Sequence, residues 1–98
     1  MTNYEQRQYQ LMKAFIQDFE SGNMTIKTLI SSLDGLLSAV EFTDKPSKEA
    51  LRSEWWTLEQ VYAVALDREE TELSPESQVL VVETLENIKV LLQQLITS

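Results

Sequence analysis

The side chains in this chain with the most chemistry to offer are carboxylates. Asp67, Glu69, Glu70, Glu72 and Glu76 place five acids within ten residues. Such a run could ligate a cation, move protons, or imitate a row of phosphates. A calcium loop needs a turn glycine and regular alternation of ligands, and this stretch has neither. General acid–base, nucleophilic and zinc chemistry draw mostly on histidine and cysteine, and the chain contains no His and no Cys. Carboxylate-bridged dimetal bundles need Glu-x-x-His pairs, which are excluded for the same reason. The two glycines, Gly22 and Gly35, form no phosphate-cradling loop. We therefore expect no catalytic residue, no metal and no cofactor, and read the chain as a non-enzyme. Phosphate mimicry remains: a surface evolved to bind RNA or DNA, such as a nuclease active site, would accept these acids. The plainer alternative is a solvated helix end, and Glu76 also has a local role near a helix N-terminus.

Two further groups are candidates for contact with a partner. Trp55 and Trp56 are adjacent, so on a helix they point about 100° apart. Trp55 shares a face with Leu51, Leu58 and Tyr62 and is expected in the core. Trp56 falls near Arg52, Gln60, Ala63 and Asp67, a polar face where an amphipathic ring can anchor a partner. It could equally pack beneath a neighbouring helix or loop. Glu59 joins Trp56 in the candidate set. In the last helix Val79, Glu83, Glu86 and Val90 form a stripe opposite the core. Single exposed valines are common, but on an acidic face they also make a mixed apolar and acidic docking strip.

Few breakers interrupt the elements that carry these residues, with only two glycines and two prolines in 98 residues. Thr2 and Glu5 have capping-box spacing, and Leu11, Met12, Phe15, Ile16 and Phe19 continue at helical intervals. Ser21-Gly22-Asn23 closes this first helix, with Gly22 suited to a left-handed residue. Asn23 or Thr25 caps the second, whose stripe is Leu29, Ile30, Leu33, Leu36, Leu37 and Val40. Gly35 falls on its opposite face, so the helix should run through Asp34-Gly35, a turn there being the alternative. Thr43 to Ser47 reads as a loop, because Pro46 disfavours helix at Lys45 and Ser47 can cap the next helix. The third helix carries Leu51, Trp55, Leu58, Tyr62 and Leu66. Ser74-Pro75 opens the fourth, with core positions Val81, Leu85, Ile88, Leu92 and Leu95. The expected fold is all-α, an antiparallel four-helix bundle in one domain over residues 1–98. Its helices should lie near 3–20, 24–41, 47–68 and 75–96.

Sixteen acids against eight bases give a net charge of −8. Residues 1–66 carry nine acids and six bases, a balance of −3; residues 67–98 carry seven and two, a balance of −5. Such a chain should repel nucleic acid and attract basic proteins, although acidity also serves solubility alone. No apolar run approaches membrane-spanning length and the N-terminus lacks a signal-peptide core. These features, with the lack of cysteine, point to a cytoplasmic protein with no membrane partner.

Taken together, these features resemble the small helical immunity proteins of bacterial toxin systems, those of colicins and of contact-dependent growth inhibition. The resemblance is a loose pattern over nearly the whole chain. It runs through Phe19-Glu20-Ser21-Gly22, Met24-Thr25-Ile26 and Trp55-Trp56-Thr57-Leu58-Glu59-Gln60-Val61-Tyr62. It implies a toxin inhibitor that binds a cognate, basic toxin domain, often a nuclease, at or beside its active site; such an inhibitor should be monomeric or weakly dimeric when alone. A helical adaptor or self-associating interaction module is the alternative. The expected partner-binding residues are Trp56, Glu59, Asp67, Glu69, Glu70, Glu72, Glu76, Val79, Glu83 and Glu86.

Overall fold

Helix ends in this chain are set by short polar motifs. The computed structural model describes residues 3–39, 45–68 and 73–97. Helix α1 spans Asn3–Glu20, α2 Ile26–Ala39, α3 Lys45–Asp67 and α4 Pro75–Thr97. Gly22 ends α1 with φ +82°. Its amide bonds to the Phe19 carbonyl at 3.0 Å, and the Asn23 amide to that of Asp18 at 2.9 Å. This is a Schellman closure, which satisfies two terminal carbonyls. The Thr25 hydroxyl accepts the Thr28 amide at 3.2 Å, capping α2, and the Ser74 hydroxyl accepts the Ser77 amide at 3.2 Å, capping α4. Helix α2 continues through Asp34 and Gly35 without a break.

Two expected helix starts shift. Helix α2 begins at Ile26 instead of near residue 24, with Thr25 as its cap. Helix α3 starts at Lys45, not Ser47, with Pro46 inside its first turn, where a missing amide costs nothing because the first four have no intrahelical acceptor. The expected Thr2 cap, Val40 and the 40–44 stretch lie outside the described residues.

Cross-links fix the helix directions. Gln6 donates to the Ile96 carbonyl, Lys13 to Gln93 and Lys89 to Glu20, so α1 and α4 run antiparallel. Arg52 reaches Asp34 and Ser38, and the Trp55 indole N–H donates to the Ile30 carbonyl at 2.9 Å, so α2 and α3 do likewise. Each helix packs on its sequence neighbour and α4 packs back on α1, while the diagonal pairs stay apart. The result is an all-α four-helix bundle, with no strand among the described residues.

Tyr9, Met12, Ile16, Leu29, Leu33, Leu51, Leu58, Leu85 and Leu92 fill its centre. Buried polar groups are satisfied: Thr84 donates to the Leu80 carbonyl and Glu5 accepts the Tyr9 hydroxyl. The α3 stripe is rotated from its expected line. Leu51, Leu58, Val61 and Ala65 are buried, Trp55 and Tyr62 are half-buried, and Leu66 is 57% exposed. Leu11, on the expected α1 stripe, is also exposed.

Helix lengths explain the exposure of Leu66. At 23 residues each, α3 and α4 are about 34 Å long, whereas α1 with 18 and α2 with 14 reach about 27 and 21 Å. The Lys89–Glu20 ion pair sets the end of α1 level with Lys89, fourteen residues from the start of α4. The Trp55–Ile30 bond likewise sets the start of α2 near Glu59, eight residues short of the end of α3. The α3–α4 hairpin thus extends past the α1–α2 turn. Leu66 belongs to this overhang, where no shorter helix remains to cover it.

Candidate interaction surface

Helix α4 has two faces of different character. Val81, Thr84, Leu85, Ile88, Leu92 and Leu95 are buried in the bundle. At 100° per residue, Pro75, Val79, Val82, Glu86 and Val90 fall on the opposite side. All five are exposed: Val79 and Val82 at 58% each and Val90 at 55%. Pro75, Gln78, Val79, Val82 and Glu83 line a shallow hollow of about 400 Å³. The expected strip of Val79, Glu83, Glu86 and Val90 therefore does face outward. Val82, Gln78 and Pro75 were not anticipated as part of it. The signal for Pro75 and Val82 lay in the spacing of residues 75, 79, 82 and 86, which is four, three, four.

Charge along this face is one-sided. Between Pro75 and Ile88 the helix carries three acids, Glu76, Glu83 and Glu86, and no base. Glu76 and Glu83 are exposed on α4. Glu86 is not a free carboxylate: it pairs with Lys89 at 2.7 Å, and Lys89 also holds Glu20 at 2.9 Å. The hydrogen bond that Lys89 donates to Glu86 raises its pKa above the ordinary value, and the one it donates to Glu20 adds to the shift. Part of the Glu86 role is thus structural, because it orients the lysine that ties α4 to α1.

The expected residues of α3 occupy a separate surface. Trp56 is 55% exposed, Asp67 is exposed and Glu59 is half-buried. Trp55 is the more buried of the two tryptophans, as the phasing required, yet it lies at the α2–α3 seam and not in the centre. Arg52 departs from its expected position beside Trp56. Its guanidinium stands 5.1 Å from the Trp55 ring centroid and pairs with Asp34 at 2.7 Å. Turning Arg52 toward α2 leaves the Trp56 face without that cation. Glu69, Glu70 and Glu72 lie outside the described residues. No group of three or more acids able to hold a metal ion occurs among the described residues.

Comparison of the chain with protein-family models, curated proteins and solved structures finds no match.

Proposed function

We propose that this chain is an inhibitor that binds and neutralises a basic toxin domain, in the manner of helical immunity proteins. The observation that carries the reading is the outward face of α4. Three valines, each more than half exposed, sit there among Glu76, Glu83 and Glu86. Apolar side chains on a solvated face have no role in this bundle's core, and an acidic setting selects partners of opposite charge. Trp56 supplies a second anchor of the type that dominates binding energy at interfaces.

An inhibitor that acts at low concentration needs nanomolar affinity or better, about −12 kcal/mol. Ion pairs repay their desolvation imperfectly, so the apolar side chains must supply most of it and the acids direct the encounter. The test is co-expression with any basic nuclease toxin domain that the gene neighbourhood of this chain proves to encode. Cells should survive, and toxin and inhibitor should co-purify at equal stoichiometry. Cell death despite soluble inhibitor would overturn the reading. Self-association through the same valines is the competing reading, and a net charge of −8 per copy opposes it.

A further inference from the structure

We infer that the outward face of α4 is a seat for one helix of the partner, amphipathic and basic along its flanks. The inference rests on this chain being a partner-binding protein, but not on the partner being a toxin.

Residues 75, 79, 82 and 86 follow the four-three-four spacing of a heptad seam, with Val79 and Glu86 at one seam position and Pro75 and Val82 at the other. The core of the bundle uses the opposite side of the same helix, so this seam is a second one with no helix on it among the described residues. A seam of this period fits a helix, whose side chains enter the spaces between its ridges. An extended peptide would gain little here, because a helix face offers no backbone edge to pair with. The hollow beside Val79 and Val82, about 400 Å³, gives the incoming apolar side chains somewhere to go.

Charge decides which helix. Glu76 and Glu83 are seven residues apart, each immediately after a seam position. Those flanking positions set partner choice in coiled coils. Two exposed carboxylates there call for Lys or Arg on the facing helix, whereas Glu86, on the seam itself, is already paired with Lys89. A second copy of α4 laid antiparallel would bring Glu76 and Glu83 against their own counterparts, which is repulsive. The occupant is therefore a different chain.

The test uses a designed 21-residue helical peptide with leucine at seam positions and lysine on both flanks, titrated into the full-length protein by calorimetry at low salt. A second peptide carries glutamate in place of lysine. The lysine peptide should bind, with amide shifts centred on residues 75–90, and the glutamate peptide should not. Val79→Ser with Val82→Ser should weaken binding at least about tenfold. Glu76→Gln with Glu83→Gln should weaken it and flatten its salt dependence. All four positions are exposed, so circular dichroism should show an unchanged fold. Failure of the lysine peptide to bind, equal binding of both peptides, or binding unaffected by the valine changes would overturn the proposal. Toxin neutralisation could fail while the lysine peptide still binds, which separates this proposal from the preceding one.

Discussion

Trp55 and Trp56 differ by one position and have opposite work. The Trp55 indole joins α3 to α2 through the Ile30 carbonyl, while Trp56 is 55% exposed. Trp55→Phe should destabilise the protein by about 1 kcal/mol, the net worth of one hydrogen bond, measured by urea unfolding. Trp56→Ala should change stability by no more than about 0.5 kcal/mol. It should instead speed dissociation of a partner about tenfold or more, measured by surface plasmon resonance. Lys89 gives a pH prediction. Glu86 and Glu20 raise its folded pKa above the ordinary 10.5. The stability from this shift is fully present below the unfolded value and is lost as pH rises through the folded one. Wild type should thus lose stability above pH 10.5, and Lys89→Met should lack that alkaline loss.

The elements offer a paired test of backbone conformation. Gly22 sits at φ +82°, whereas Gly35 is an exposed residue inside α2 with open space around a would-be Cβ. Gly35→Ala should stabilise by about 0.5–1 kcal/mol. Gly22→Ala should destabilise by about 1 kcal/mol or more, since a side chain is strained in the left-handed region. Thermal unfolding measures both. Much of this level was legible in the sequence. Gly22, Thr25, Ser74 and Pro75 mark their helix ends through local hydrogen bonding and fixed dihedrals, which depend on few neighbours. The α3 stripe was less legible. Leu51, Trp55, Leu58, Tyr62 and Leu66 make a regular seam in one dimension, but burial depends on how far α1 and α2 extend alongside. Leu66 lies past their ends, and Val61 and Ala65 take the buried positions. The second seam on α4 was visible only in part, because Val82 is adjacent to the core residue Val81 and reads as one β-branched run with it.

At the scale of the molecule, charge and shape act together. The bundle measures 42 × 24 × 20 Å, longer than it is wide because α3 and α4 overhang their shorter partners. Most of the charge excess comes after Leu66, at −5 over residues 67–98, and among the described residues Asp67, Glu76 and Glu83 of that excess are exposed on α3 and α4. A field placed in this way steers a basic partner before contact, and salt screens it over about 10 Å at 0.1 M. The decisive measurement is the association rate of the proposed basic partner with wild type and with a Glu76→Gln, Glu83→Gln variant, tracked against ionic strength by stopped flow. Wild type should associate fastest at low salt and slow steeply as salt rises, while the variant should be slower at low salt with a shallower dependence. Equal rates and equal salt dependence for the two proteins would contradict the claim that this acidic face receives the partner.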